Sequence, residues 1–411
     1  MVAPVARPST LGSPRPLRRV VAAMALSGGL AAAIVMACGP GDLSDLTRGR
    51  GDAAVPVTAD AADAAVCNHA SAPERPNTPD GPSIPSIVFA FDGVRFDNGA
   101  EDSGLPRPQG LDLDRTCTCA DPKLEPESCV PLDSGAPRPC DGIDGRDNAA
   151  GPLLAAASAS GNGFGPAAFQ SQVRSGAFNV ITTVSSWNGL PDDPSVIIGI
   201  QLSGGLEGSQ SDAGRGRPKF DGTDVWTVTP GSVLGGADLA GKDCRNVITS
   251  CIASKADTNA YVKDGVFVAH LDVSLPIVTN TSSFTIEFVA ATVTARLVPT
   301  ANGYRSVGEI DGRWPTDRLL PSLARIPNPI TPGRPLCATD SGLEIYRVVK
   351  KSACEGMDLT ANPALDRTSA PCEAISNAIS FTATTAVIGT VYEPPNSDSE
   401  CADFHDTCAT P

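Results

Sequence analysis

The stretch that decides the fold is Phe267-Val268-Ala269-His270-Leu271-Asp272-Val273-Ser274-Leu275, at residues 267–275. Every second side chain in it is apolar, and most of the intervening ones are polar or charged. An alternation of period 2 predicts a strand with one buried and one solvated face, which is typical of antiparallel sheets. The stretch therefore favours an antiparallel β fold over a parallel α/β fold.

Further strands are predicted on both sides of this stretch. They are separated by turns rich in Gly, Pro and Asn, which favours several short strands in one body. The sequence predicts a mainly β protein, with an antiparallel β-sandwich or jelly-roll-like body over residues 84–311. The predicted strands lie at residues 87–91, 178–184, 196–202, 225–228, 284–288 and 293–297.

A few short helices are predicted beside the strands. Residues 153–158 and 166–173 are rich in alanine, the residue with the highest helix propensity. Residues 317–323 and 373–379 are also predicted to be short helices. We expect residues 312–411 to form a disulfide-stapled C-terminal part that packs on the same body.

The N-terminus has the order of a secretory signal peptide. Residues 1–19 carry four arginines and no acidic residue, and residues 20–37 are uncharged. An uncleaved membrane anchor is the alternative, because about 20 apolar residues span a bilayer. Ser27-Gly28-Gly29 interrupts the run, which favours the cleaved signal peptide.

The uncharged run ends at Val35-Met36-Ala37-Cys38. This end resembles the lipobox of bacterial lipoproteins, and the resemblance covers residues 1–38 only. It implies that Cys38 is diacylated through its sulfur and becomes the N-terminus of an exported, membrane-anchored protein. Because Gly39 rather than Asp follows Cys38, the resemblance implies the outer membrane rather than the inner one.

Residues 38–83 are predicted to be a disordered acidic tether. They are rich in Asp, Ala, Pro and Gly and contain no aromatic residue, so they bury too little surface to offset the entropy of ordering. A flexible chain of this length has a mean reach of roughly 35 Å. We expect the tether to hold the body just off the membrane.

The charge of the chain excludes one class of partner. Without the four N-terminal arginines, 27 basic residues stand against 46 acidic ones, a net charge of −19. A negative field of this size repels phosphate backbones, so nucleic acid is excluded as a partner. The expected partners are the membrane, through the lipid on Cys38, and a glycan or an envelope protein.

The cysteines indicate an oxidising compartment. Twelve cysteines follow Cys38, an even number that predicts up to six disulfides. We expect the short-range pairs Cys244–Cys251 and Cys401–Cys408, because little chain must be looped to close them. A four-thiolate zinc site over residues 117–140 is the alternative for that cluster.

The densest polar grouping is acidic and predicts a structural calcium site. Closely spaced Asp and Asn with intervening glycines supply the several oxygen ligands that calcium prefers. The alternative is that these residues only form turns. The candidate ligands are Asp112, Asp114, Asp141, Asp144, Asp147 and Asn148.

The three tryptophans, Trp187, Trp226 and Trp314, are candidates for a ligand-binding surface. Each has acidic residues or glycines nearby in the sequence, as a platform for a sugar ring requires. The alternative is burial in the core, where large aromatic side chains contribute most.

Function is less well specified than fold. The chain has three histidines, none in a His-Glu-x-x-His motif, and no Gly-x-Ser-x-Gly motif. The sequence therefore favours a non-enzymatic binding or structural module of the cell envelope. An extracytoplasmic polysaccharide hydrolase that uses a carboxylate pair is the alternative.

Overall fold

The computed structural model describes residues 67–96, 107–119, 127–132, 139–159, 166–208, 216–245, 251–278, 283–301, 303–331, 333–393, 400–401 and 403–409. The predicted signal peptide, the lipobox with Cys38, and the tether up to residue 66 lie outside these ranges. Within them, no helix has both the length and the apolar character needed to cross a membrane.

The described residues form ten strands and four α-helices. The strands are β1 (Ile87–Arg95), β2 (Asn179–Ser185), β3 (Asp193–Ser203), β4 (Val225–Val228), β5 (Lys255–Lys263), β6 (Val266–Val278), β7 (Ser283–Thr300), β8 (Gly303–Pro315), β9 (Ala374–Thr385) and β10 (Val387–Val391). The helices are α1 (Ala150–Ala159), α2 (Pro166–Ser175), α3 (Thr316–Ala324) and α4 (Asp340–Glu355).

Eight strands form one closed antiparallel barrel in the order β1-β2-β3-β5-β6-β7-β8-β9, and β9 pairs with β1 to close it. The predicted mainly β, antiparallel fold is thereby confirmed, and the sheet closes on itself. The expected boundary at residue 311 falls inside β8, and β9 comes from the C-terminal part. That part thus completes the barrel.

The stretch at residues 267–275 lies in β6, which pairs with β7 over 12 residue pairs. Phe267, Ala269 and Leu275 are buried, whereas His270 between them is exposed. One face of this hairpin therefore packs on the core, as the alternation predicted.

Aromatic side chains fill the core on which these strands pack. Eight strands enclose a space that side chains alone can fill. The rings of Phe91 and Phe381 stack with their centroids 4.5 Å apart, and Phe284 meets Trp314 edge-on at 5.3 Å. The core is therefore held by hydrophobic packing.

The predicted helix at residues 373–379 is wrong, because this segment lies in β9. Ile375 and Ile379 have helical spacing, but each packs into the core and pairs with β8, opposite Trp314 and Ile310 respectively. Closing the barrel outweighs a weak helix propensity. Helix α4 was not predicted; the side chain of Thr339 caps its N-terminus by accepting a hydrogen bond from Gly342 N.

All twelve cysteines after Cys38 lie in disulfide pairs: Cys67–Cys117, Cys119–Cys140, Cys129–Cys372, Cys244–Cys251, Cys337–Cys401 and Cys354–Cys408. The predicted pair Cys244–Cys251 is confirmed, and Cys401–Cys408 is wrong. Residues 400–401 and 403–409 lie beside α4 and the segment before it, and Asp406 accepts hydrogen bonds from Tyr346 and Lys350 of α4. Because both cysteines face other elements there, loop length does not decide the pairing.

The same pairings bear on the alternative of a zinc site over residues 117–140. Cys119 and Cys140 pair with each other, whereas Cys117 and Cys129 pair with partners outside that stretch. A disulfide sulfur is not a thiolate ligand, so the cluster holds no four-thiolate site.

The last part of the predicted tether, residues 67–83, is bound to the body. Cys67 pairs with Cys117, and the guanidinium of Arg75 lies 4.6 Å from the ring centroid of Tyr261. The Tyr261 hydroxyl donates to Pro73 O at 2.5 Å. The disulfide and these contacts compensate for the lack of apolar side chains, which composition alone could not reveal.

Candidate metal centre

The candidate centre lies between the outer face of β8 and β9 and a covering set of loops. We call residues 107–119, 139–148 and 356–373 the loop layer. Along β8, Trp314 packs in the core, whereas Asp311 and Arg313 alternate with it and face outward. Both outward side chains are nevertheless only 1% exposed, because the loop layer covers them.

Arg313 attaches the loop layer to the barrel. Its guanidinium donates to both oxygens of Asp366, at 2.8 and 2.5 Å. It also donates to Leu113 O at 2.8 Å and Thr360 O at 2.9 Å. One buried guanidinium therefore binds two segments of the loop layer. Its pair with Asp366 is bidentate, the geometry that arginine favours with a carboxylate.

Three predicted ligands converge inside the loop layer. Asp112, Asp114 and Asp147 each offer a carboxylate oxygen, and these three atoms lie within 4.8 Å of one another. The Asp112 side chain is 1% exposed, and Asp114 and Asp147 are 5% and 1% exposed. Three carboxylates thus meet where little water can solvate them.

Hydrogen bonds fix the positions of these carboxylates but leave part of their hydrogen-bonding capacity unused. Asp114 accepts from Thr116 N at 2.8 Å, and Asp147 Oδ2 accepts from Leu113 N at 2.6 Å. The second oxygen, Asp147 Oδ1, is buried and has no hydrogen-bond partner in the described part of the chain. The buried hydroxyl of Thr116 likewise lacks a described partner.

Neighbouring carboxylates add negative charge to the cluster. Asp141 Oδ2 accepts from Thr118 N at 2.6 Å, and Asp358 accepts from Ser376 N at 2.8 Å. Asp141 repels the charged forms of Asp114 and Asp147, and Asp358 repels those of Asp141 and Asp147. The centre therefore combines five acids from all three segments of the loop layer.

Burial raises the pKa values of four of these carboxyl groups, and mutual repulsion adds to the shift of three of them. Burial raises the pKa of Asp114 to about 7 and that of Asp141 to about 8, with repulsion from neighbouring carboxylates adding to both. Burial, then repulsion by Asp114, raises the pKa of Asp147 well above its usual value. Burial raises the pKa of Asp358 to about 6. The cluster therefore favours neutralisation, by protons or by a cation.

Gly145 allows two segments to approach each other. It has a φ of +72°, and a Cβ there would lie 2.7 Å from Asp112 Oδ2 and 3.0 Å from Cys117 Sγ. Any other residue would be strained by the left-handed backbone and would displace Asp112.

Two further predicted ligands, Asp144 and Asn148, make contacts of their own. Asp144 Oδ1 accepts from Asn68 Nδ2 at 3.1 Å and so binds the segment that follows Cys67. Asn148 Oδ1 accepts from Ala378 N at 3.2 Å and joins the loop to β9. Of the predicted carboxylate ligands, Asp141 and Asp144 do not belong to the group of oxygens that converge within 4.8 Å.

A second described group could in principle hold a metal. Cys67, His69, Asp112 and Cys117 offer ligand atoms within 4.8 Å of one another. His69 Nδ1 lies 2.6 Å from Asp112 Oδ2. The two sulfurs form a disulfide, so the oxidised protein lacks the thiolates that zinc would require here.

Another acidic pair lies beneath the loop layer. Asp311 is fully buried, and neither of its oxygens makes a hydrogen bond of normal geometry to a described residue. Glu309 accepts from the backbone amides of Gln109 and Gly110 at 2.8 and 2.6 Å. Burial first, and the charge of Glu309 second, raise the pKa of Asp311 well above its usual value.

The three tryptophans do not form the predicted ligand surface. Trp226 and Trp314 are 0% exposed, and Trp187 is 7% exposed. Trp187 and Trp314 pack in the main core, whereas Trp226, a residue of β4, packs in a second core cluster with residues of β10. Buried rings cannot stack on a sugar, so the alternative of core burial holds for all three.

A small pocket opens beside the cluster. Thr118, Ser128 and Asp358 are among the residues that line it, and its cavity volume is about 20 Å³. A cavity of that size has room for about one water molecule. This pocket therefore suits water or an ion rather than a sugar chain.

The sequence could not reveal Asp358, Asp311 or Arg313 as members of this region. Asp311 and Arg313 alternate with apolar residues on β8, a pattern that predicts a solvated face. Only the covering loops bury them. Asp358 follows a helix that was not predicted, so nothing in the sequence linked it to Asp114 or Asp141.

Comparisons with known proteins add no assignment. No protein-family model, no curated protein and no solved structure matches the chain.

Proposed function

We propose that the protein is an exported, lipid-anchored module of the bacterial cell envelope that acts by binding rather than by catalysis. The arginine-rich start, the apolar run and the lipobox-like end at Cys38 support export and acylation. The pairing of all twelve later cysteines supports an oxidising compartment. Gly39 favours outer-membrane placement, and the lipid on Cys38 provides contact with the membrane.

One observation carries the binding role. Asp114, Asp141 and Asp147, whose pKa values are raised by burial, lie within the loop layer, where Asp147 is 1% exposed. A hydrolase needs such a carboxylate in a cleft that admits its substrate. A covered cluster suits a small ligand that stays bound, and the exposed surface is left for a glycan or an envelope protein.

A polysaccharide hydrolase remains the second candidate, favoured by the pKa values of about 7 and 8 at Asp114 and Asp141. Either would be protonated near neutral pH, as a general acid must be. The purified full-length protein can be incubated with envelope and plant polysaccharides while reducing ends are counted. The binding role predicts no release, whereas release abolished by Asp141→Asn would establish the hydrolase.

Export and anchoring are tested by labelling cells with radioactive palmitate and fractionating their membranes. The wild-type chain should carry the label and sediment with the outer membrane. Cys38→Ser should carry no label and should not be processed. An unlabelled wild-type chain, or a labelled Cys38→Ser variant, would contradict the proposal.

A further inference from the structure

We propose that Asp112, Asp114 and Asp147 bind one calcium ion that joins the first two segments of the loop layer. Asp112 and Asp114 lie in residues 107–119, and Asp147 lies in residues 139–148. The inference deepens the proposed function by naming a ligand of the binding module. It rests on that proposal only in assuming that the protein is exported from the cytoplasm.

The spacing of the oxygens fits a cation of this size. Calcium is bound by oxygen ligands at about 2.3–2.6 Å, so two ligands on opposite sides of the ion lie up to roughly 5 Å apart. The three carboxylate oxygens all lie within 4.8 Å of one another. This spacing is therefore compatible with one ion that contacts all three oxygens.

A second observation distinguishes this cluster from an ordinary acidic surface. Asp147 is 1% exposed, and its Oδ1 has no hydrogen-bond partner within the described ranges. A buried polar atom without a partner is costly, so an oxygen of this kind is normally satisfied by a ligand, a water or an ion. The buried Thr116 hydroxyl, whose backbone amide donates to Asp112 and Asp114, is a further unsatisfied oxygen at the same place.

The balance of charge also favours a cation. His69 is bonded to Asp112, but Arg313, on the neighbouring strand β8, is paired with Asp366. Asp141 adds a fourth carboxylate, and its charge and those of Asp114 and Asp147 repel one another. A divalent ion neutralises two of these charges at once, where removal from water makes each uncompensated charge expensive.

The ligand types and the burial favour calcium over magnesium and zinc. Magnesium loses its waters reluctantly and prefers a site that leaves several of them in place. The 1% exposure of Asp147 and of the Asp112 side chain leaves little room for bound waters. Zinc prefers thiolate and imidazole ligands, whereas all three proposed ligands are carboxylates.

The test uses the purified full-length chain in detergent, with its disulfides intact. The protein is stripped with EDTA, dialysed and titrated with calcium and, separately, with magnesium by calorimetry. We expect one calcium per chain, a melting temperature that rises with calcium concentration, and binding of magnesium at least about tenfold weaker. A folded wild-type chain that binds no calcium at millimolar concentration would overturn the inference.

Matched variants locate the ion. Asp147→Asn and Asp114→Asn keep the side-chain volume and should weaken calcium binding at least about tenfold, because affinity follows the charge of the ligands. Asp144→Asn lies in the same loop but outside the cluster and should bind like the wild type. Equal affinity in all three variants would place the ion elsewhere and contradict the assignment.

Two further measurements cover the remaining outcomes. If either ligand variant fails to fold, terbium luminescence on the wild-type chain reports an oxygen-lined site, and its displacement by calcium at one equivalent supports the inference. If zinc binds instead and thiol titration finds two free cysteines, the metal lies at Cys67 and Cys117, and the inference fails. Failure of the calcium inference by any of these results would not change the result expected from the palmitate experiment, which tests export and anchoring separately.

Discussion

The two faces of strand β8 are stabilised by different kinds of interaction. On the inner side, Trp314 packs against Phe284 among apolar side chains of the main core. On the outer side, Asp311 and Arg313 are equally buried, but their environment consists of loops, ion pairs and carboxylates. The inner side depends on shape and apolar area, so it should respond little to pH or metal. The outer side depends on charge balance and should respond to both.

The largest expected effect comes from the inner side. Trp314→Ala removes a side chain that is 0% exposed and leaves a cavity in the core. We expect a loss of about 3–5 kcal/mol in the free energy of unfolding. Guanidinium unfolding of the full chain, with disulfides intact, checks this in calcium and in EDTA. A loss that differs between the two conditions would break the proposed independence of the two sides.

The next largest effect is the loss of stability when the ion pair that attaches the loop layer to the barrel is broken. Arg313→Met leaves Asp366, whose side chain is 10% exposed, without its cation. Breaking a buried ion pair on one side costs about 3 kcal/mol or more. The double variant Arg313→Met with Asp366→Leu should recover much of that loss, since it buries no unpaired charge. If it recovers nothing, the pair matters through its other contacts, to Leu113 and Thr360.

A smaller effect is the dependence of the melting temperature on pH, measured in EDTA. Asp114 and Asp141 have pKa values of about 7 and about 8, above the usual 3.8, so the folded chain holds their protons more tightly than the unfolded chain. The stability that comes from these protons is fully present below about pH 4 and is lost as the pH rises towards about 8.

The EDTA-treated protein should therefore melt at a lower temperature at pH 8 than at pH 5, and saturating calcium should reduce the difference, because the ion replaces the protons. Asp114→Asn should also flatten the dependence in EDTA. A melting temperature that rises steadily from pH 5 to pH 8 in EDTA would contradict the account of the cluster.

The smallest effect belongs to the edge of the loop layer. Asp144 accepts its hydrogen bonds from Asn68 at an exposed position. Asp144→Asn should change the free energy of unfolding by no more than about 0.5 kcal/mol. A loss of about 2 kcal/mol or more, measured by guanidinium unfolding, would show that Asp144 belongs to the charged cluster after all.

The same contrast explains which features the sequence predicted. The alternation at residues 267–275 predicted β6 correctly, because its side chains follow a local rule of period 2. The helix predicted at 373–379 was wrong, because the pairing of β9 with β1 and β8 is a long-range interaction. Local spacing likewise gave Cys244–Cys251 correctly and Cys401–Cys408 incorrectly.

The candidate centre was predictable in part for the same reason. Asp112, Asp114 and Asp147 come from two acidic loops, and their composition alone pointed to calcium. Asp358 lies more than 200 residues further along the chain and reaches the cluster only because β9 and the disulfide Cys129–Cys372 bring its loop there. Burial by covering loops leaves no local pattern in the sequence.

The most direct test of the central claim is hydrogen exchange along the full chain, followed by mass spectrometry, with calcium and with EDTA. The account predicts that removing calcium speeds amide exchange in residues 107–119 and 139–148, while exchange in the β6–β7 hairpin is unchanged. Exchange that is the same in both conditions throughout the loop layer, or that rises equally in the barrel strands, would contradict it.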